Sequence, residues 1–153
     1  MVHHHPLTIS RRGCLGMMMT LPLMARQAFA APVSIDFDHL YGKIGVLGLE
    51  FSDLVKQQAG KVVTMQGFMA PPLKAEATFF VLTEIPMALC PFCSSDADWP
   101  DNIVVVYLDR KQTFVQPSAR IEVTGTLDMG SWTDPDTGFV SLLRLRDAAY
   151  RVV

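Results

Sequence analysis

The chain has 153 residues, with 13 Lys or Arg and 15 Asp or Glu, and a net charge of −2. Half of the residues are apolar and only 18% are charged, which excludes a disordered protein, and the length excludes more than one domain. The slight acidic excess argues against a nucleic-acid-binding protein, and no apolar run is long enough to span a membrane as a helix.

Residues 1–30 have the plan of a cleavable export signal. Arg11 and Arg12 precede a short apolar run, and residues 28–30 (AFA) match the small-residue pattern of a cleavage site. The arginine pair directly before the apolar run indicates twin-arginine export. Cleavage after residue 30 would remove three positive charges and change the net charge from −2 to −5. We therefore predict a twin-arginine signal peptide over residues 1–30 and a periplasmic or secreted mature protein.

One short helix is predicted near the start of the mature chain. Leu47, Phe51, Leu54 and Val55 recur at helical spacing. Gly60 directly follows this pattern and is predicted to end the helix, because glycine adopts the left-handed conformation that terminates helices.

The rest of the mature chain is predicted to be strands. Two of the five apolar runs are almost continuous, which is typical of strands buried on both faces. A turn over residues 134–138 (DPDTG) separates the last two strands. The predicted strands are Lys61–Ala70, Ala77–Thr83, Ile103–Leu108, Arg120–Leu127 and Phe139–Leu145. We therefore predict an all-β fold over residues 31–153, a small five-stranded OB-like barrel with one short helix, with a β-sandwich as the alternative.

The long connection over residues 86–100 contains Cys90 and Cys93, the two cysteines that remain after cleavage. Two thiolates at this spacing can bind one metal ion from a single turn, and soft ligands favour zinc or copper. A closed site needs about four ligands. The candidates that could complete the set are Asp96, Asp98, Met87 and His39. The first hypothesis is therefore a small metal-binding or metal-handling accessory protein.

Two other interpretations of the cysteine pair stay open. The sequence CPFC is similar to a thioredoxin-type site, which would make the protein a thiol–disulfide redox partner. An exported cysteine pair can also form a structural disulfide, which would shape the loop of a non-catalytic interaction module. Asp96 follows two serines and could belong to a helix N-terminus instead of a metal site. No complete catalytic motif is present, which leans against an enzyme but leaves the question open.

Two other groups of side chains are predicted to have structural roles. Met65, Met69 and Met129 are expected to fill the core, because methionine packs into irregular gaps. Arg144 and Arg146 are expected to be solvated residues at the edge of a strand.

Three blocks resemble a family of small, exported, largely uncharacterised bacterial proteins. These blocks are residues 67–74 (GFMAPPLK), 86–100 (PMALCPFCSSDADWP) and 144–147 (RLRD). The resemblance runs from Lys61 to Arg146, just over half of the chain. It implies an OB-like fold and an association with an envelope or metal-transport protein complex. It implies no catalytic residue.

Overall fold

The computed structural model describes residues 31–45, 48–71, 78–87, 99–110 and 113–153. All of these residues belong to one compact unit, Ala31–Val153. The predicted signal peptide lies outside the described residues, and so do Cys90 and Cys93. No helix in the described ranges has the length and hydropathy that crossing a bilayer requires.

The described residues form eight strands, one α-helix and one 3₁₀ turn. In chain order these are β1 (Val33–Ser34), the 3₁₀ turn (Phe37–His39), β2 (Tyr41–Gly45), β3 (Gly48–Phe51), α1 (Asp53–Gln58), β4 (Val62–Met69), β5 (Phe79–Thr83), β6 (Ile103–Leu108), β7 (Arg120–Thr133) and β8 (Val140–Val152). The prediction of an all-β fold with one short helix is confirmed. The five predicted strands correspond to β4–β8, whereas β1, β2 and β3 were not predicted.

Six strands form one mixed sheet in the order β1-β4-β5-β6-β8-β7, and β2 and β3 form a separate hairpin. The pairs β1–β4 and β6–β8 are parallel, and the other pairs are antiparallel. The sheet curves until β7 also pairs with β4 over seven residue pairs. Only two residue pairs join β4 to β5, so the sheet is not a closed barrel.

The helix begins later than its apolar spacing predicts. Phe51 belongs to β3, where it pairs with Tyr41, and the two rings stack with their centroids 5.5 Å apart. Ser52 then caps α1 by accepting a hydrogen bond from the N–H of Val55 at 3.2 Å. The predicted terminator is confirmed, because Gly60 has a φ of +77°.

The core lies between the curved strands, and β5 is buried along its whole length, as predicted. Met65 and Met69 are buried, which confirms two of the three expected core methionines. Met129 is exposed, so that expectation is wrong. Its strand leaves regular pairing between Met129 and Trp132, and Gly130 has a φ of +110° there. Met129 is the last residue of β7 to pair in register before this irregularity, opposite Leu143.

Candidate functional site

The two described ends of the loop that contains the cysteine pair are joined to each other. The Thr83 hydroxyl, at the end of β5, donates a hydrogen bond to the carbonyl of Ile85 at 2.7 Å. The N–H of Glu84 donates to the carbonyl of Asn102 at 3.2 Å, directly before β6 begins. The loop therefore leaves and rejoins the sheet at adjacent points.

Trp99 attaches the second end of this loop to the N-terminal hairpin. Its side chain is 4% exposed, and its indole Nε1–H donates to the hydroxyl of Tyr41 at 2.7 Å. A buried indole N–H needs such a partner, so this contact holds Trp99 against β2.

A pocket of about 240 Å³ lies beside these two ends. It is lined by both ends of the loop and by the N-terminal segment. Three carboxylic acids contribute to its lining, Asp38, Glu84 and Asp101. His39 follows Asp38 in the chain and is exposed, and its carbonyl accepts a hydrogen bond from the Ser52 hydroxyl at 2.6 Å. The backbone of the His39 segment is therefore tied to the start of α1.

The predicted metal ligands are only partly within the described residues. Cys90, Cys93, Asp96 and Asp98 lie outside them. His39 is exposed, and Met87 is half-buried where the loop leaves the sheet. Among the residues that the structure describes, no three His, Cys, Asp or Glu side chains are grouped as metal ligands.

A second group of interacting polar and aromatic side chains lies on β6, β7, β8 and the turn between β7 and β8. We call it the arginine–aromatic cluster, and it consists of Tyr107, Asp128, Trp132, Asp134, Arg144 and Arg146. Arg144 is at its centre and is 3% exposed, so the prediction that it is solvated is wrong. No sequence motif indicated a function for any of these residues.

Arg144 donates hydrogen bonds within the protein from all three nitrogens of its guanidinium group. Nε and Nη2 donate to Oδ2 of Asp128 at 3.2 and 3.0 Å. Nη1 donates to the carbonyls of Gly130 and Ser141 at 2.7 and 2.9 Å, and to the Ser141 hydroxyl at 3.2 Å. These bonds compensate for the cost of burying a charge.

Arg146 lies on the same carboxylate but closer to solvent. Its Nε donates to Oδ2 of Asp128 at 2.6 Å, and its side chain is 38% exposed. The Arg146 Cζ lies 4.7 Å from the ring centroid of Trp132 and 5.8 Å from that of Tyr107. Both distances are within the range of a cation–π contact.

Asp134 begins the turn that separates β7 from β8, and its carboxylate organises that turn. Oδ1 accepts the N–H groups of Asp136 and Thr137 and the Thr137 hydroxyl, and Oδ2 accepts the Tyr107 hydroxyl at 3.2 Å. Burial alone raises the pKa of Asp134, but the hydrogen bonds from Thr137, Tyr107 and Asp136 outweigh it and hold the pKa below its ordinary value. The pKa of Tyr107 is raised, mainly by burial and secondly by the negative charge of Asp134.

We expect the free energy of unfolding to fall in acid because of Asp134. A carboxyl group with a lowered folded-state pKa stabilises the fold above its unfolded-state pKa, near pH 4, and this stabilisation is lost as the pH falls through the folded-state value. Asp134→Asn should therefore lower the free energy of unfolding at pH 7. Below about pH 4, the free energy of unfolding of this variant should decline less steeply than that of the unchanged chain. Urea unfolding between pH 7 and 2.5 measures this. Asp136→Asn, in the same turn but exposed, should change the profile little, and equal profiles for the two variants would contradict the role of Asp134.

Irregular strand pairing gives the cluster its geometry. One extra residue in β8 breaks the register with both β6 and β7, and Asp147 has a φ of +49° at that point. In a regular strand successive side chains alternate between the two faces of the sheet, and the extra residue of a bulge interrupts this alternation. Leu145 and Ala148 are therefore both buried, while Arg146 is half-exposed beside Tyr107.

A signal for this cluster was present in the sequence. Asp136 is the middle of the predicted turn. Counting the same number of residues back along β7 and forward along β8 places Asp128 opposite Arg144, which is the observed pairing. An arginine between leucines in a buried strand needs such an acidic partner. Trp132 is not recoverable in this way, because the register shifts between Met129 and Trp132.

Comparisons with known proteins add a likeness of fold. No protein-family model matches the sequence, and no curated protein matches it. The crystal structure of a DUF3299 family protein from Pseudomonas aeruginosa PAO1 is similar, with a TM-score of 0.52 and 13% sequence identity, over 81% of this chain and 97% of that chain. The chain is thus similar in fold to a member of an uncharacterised family.

Proposed function

We propose that this protein is an exported metal-binding or metal-handling accessory protein whose working part is the loop over residues 86–100. Cys90 and Cys93 are the proposed thiolate ligands for zinc or copper. Asp96, Asp98, Met87 and His39 are the candidates that complete the shell. The protein would act in the periplasm or outside the cell, next to a metal-transport or envelope complex.

The observation that carries this proposal is where the loop is attached. Trp99 joins the second end of the loop to Tyr41 by a hydrogen bond of 2.7 Å. Tyr41 is two residues from His39, which is exposed and is the one histidine after residue 30. The hydrogen bond therefore joins the end of the cysteine loop to a residue that is only two positions from His39, the proposed nitrogen ligand.

The charge of the adjoining pocket is consistent with a cationic ligand. Asp38, Glu84 and Asp101 contribute to its lining. Carboxylates near the mouth of a site raise the local concentration of metal cations. The pocket would serve the approach of the ion, while the softer thiolates hold it.

The fold also agrees with the proposed family relationship. We propose that β4–β8 correspond to the five strands of an OB-type sheet, with a parallel β6–β8 pair and a contact between β4 and β7. The relationship to small exported proteins rests on the three sequence blocks. Arg144 and Asp147, the first and last residues of the RLRD block, have specific roles in the structure, a buried ion pair and a bulge.

Metal content of the full chain, exported by its own signal and purified without chelator, tests the proposal. We expect about one equivalent of zinc or copper per chain, with both thiols unreactive until a chelator is added. Cys90→Ser should lose the ion, and His39→Gln should lose it if His39 is a ligand. Asp53→Asn, an exposed carboxylate on α1, is the matched control and should keep it. Elemental mass spectrometry with thiol counting gives the readout.

Two results would overturn the metal proposal. The first is a metal-free chain with no free thiol, which would identify a disulfide and turn the question to its reduction potential and redox partner. The second is full metal content in Cys90→Ser, which would place the ion elsewhere.

A further inference from the structure

Arg146 differs from Arg144 in how many of its hydrogen-bond donors are used. A guanidinium has five N–H donors. Arg146 uses its Nε–H on Asp128, and within the described part of the chain its two terminal nitrogens donate no hydrogen bond. Its side chain is 38% exposed, so these nitrogens are accessible to a molecule from solvent. Arg144, in contrast, is buried and donates from all three of its nitrogens.

The guanidinium of Arg146 is held in place before any ligand binds. Asp128 binds its Nε at 2.6 Å, while the rings of Trp132 and Tyr107 lie against it at 4.7 and 5.8 Å. A side chain that is already ordered loses little conformational entropy on binding. The two rings also exclude water from part of its surface, which strengthens hydrogen bonds made by the remaining donors.

The surrounding charges limit the kind of anion that fits. Asp128 is shared between the two arginines, and both oxygens of Asp134 already accept hydrogen bonds from the turn and from Tyr107. Asp147 follows Arg146 in the chain. These carboxylates repel a doubly charged phosphate more strongly than a singly charged group. A carboxylate has one charge and two oxygens at the spacing of the guanidinium donors.

We propose that Arg146 binds the carboxylate group of a ligand, held by two hydrogen bonds from its terminal nitrogens at the surface of the arginine–aromatic cluster. The carboxylate belongs either to a small organic acid or to an acidic peptide side chain. This site is separate from the cysteine loop and does not depend on the metal proposal.

Titrations of the ¹⁵N-labelled full chain test the site. The probes are sodium acetate, inorganic phosphate at equal ionic strength, and a capped peptide with one Glu or with Gln in its place. We expect acetate and the Glu peptide to shift the Arg146 Nε–H and Trp132 indole N–H signals to saturation. Arg146→Gln should weaken binding about tenfold or more, because it removes a charge-assisted pair of hydrogen bonds. Arg146→Lys should also weaken it, because a lysine keeps the charge but not the paired donors.

Arg151→Gln is the matched control, since Arg151 is also on β8 and is ion-paired with Glu122 at the surface. It should bind acetate as the unchanged chain does. Tighter binding of the Glu peptide than of acetate would assign a peptide ligand, and the reverse would assign a small acid. The proposal fails if phosphate binds more tightly than acetate, if the Gln peptide binds as well as the Glu peptide, or if Arg146→Gln and Arg151→Gln bind alike. It also fails if no signal reaches saturation.

Discussion

Replacing Arg144 by methionine is expected to destabilise the protein by about 3 kcal/mol. The methionine keeps most of the apolar stem but removes every donor. The carbonyls of Gly130 and Ser141 then lose their buried partner, and Asp128 keeps only Arg146. A buried acceptor without a donor costs about 1–3 kcal/mol, so the Ser141 carbonyl dominates the loss and the part-buried Gly130 carbonyl adds less.

Urea unfolding at pH 7 measures the effect, with Arg151→Met as the control. Arg151 is on the same strand, but its side chain is 68% exposed and its partner is Glu122. An exposed ion pair contributes about 1 kcal/mol or less, so this control should lose little. The loss of stability in Arg144→Lys should be smaller than in Arg144→Met and larger than in Arg151→Met. Its ammonium keeps the charge but cannot reproduce the fork-shaped contacts with Asp128 and two carbonyls. A loss in Arg144→Met no larger than in Arg151→Met would show that the buried network does not stabilise the fold.

Gly67→Ala is expected to cost about 2–3 kcal/mol, because β4 and β5 approach each other too closely for a side chain there. A Cβ at Gly67 would lie 2.6 Å from the backbone oxygen of Thr83 and 3.1 Å from the Cγ and Cδ1 atoms of Leu82. The Thr83 oxygen belongs to a strand that is buried along its length, so it cannot move without disturbing the core. The strain falls on the narrow join between β4 and β5, which has only two residue pairs.

Two measurements distinguish a local opening from a general loss of stability. The N–H of Ala70 donates to the carbonyl of Val81 at 2.9 Å across the same join, so its hydrogen exchange should accelerate more than that of amides between β4 and β7. Gly42→Ala is the control, because a Cβ there would meet only the Glu50 oxygen at 3.8 Å, an ordinary contact. If Gly67→Ala and Gly42→Ala unfold at the same urea concentration, the close approach at Gly67 is not a constraint on this fold.

The candidate site divides into a part that local sequence indicates and a part that it does not. The loop over residues 86–100 is conspicuous because its cysteine spacing is a local pattern. Its ligands remain a prediction, since Cys90 and Cys93 lie outside the described residues. The contact between Trp99 and Tyr41 joins residues 58 positions apart, and nothing local in the sequence indicates that pairing.

Local sequence patterns were enough to predict the all-β class, the positions of strands β4–β8 and the end of the helix at Gly60, although β7 and β8 continue past their predicted ends at Leu127 and Leu145. Apolar runs and turn residues act over a few positions, so they can be identified without knowing which strands meet. The hairpin β2–β3 escaped prediction because part of it matched helical spacing, and its pairing of Tyr41 with Phe51 overrode that local pattern. The burial of Arg144 and the partial exposure of Arg146 depend instead on contacts between strands. Both lie on one strand, but the bulge at Asp147 and the register shift before Trp132 set their neighbours, and such irregularities depend on how three strands pack together.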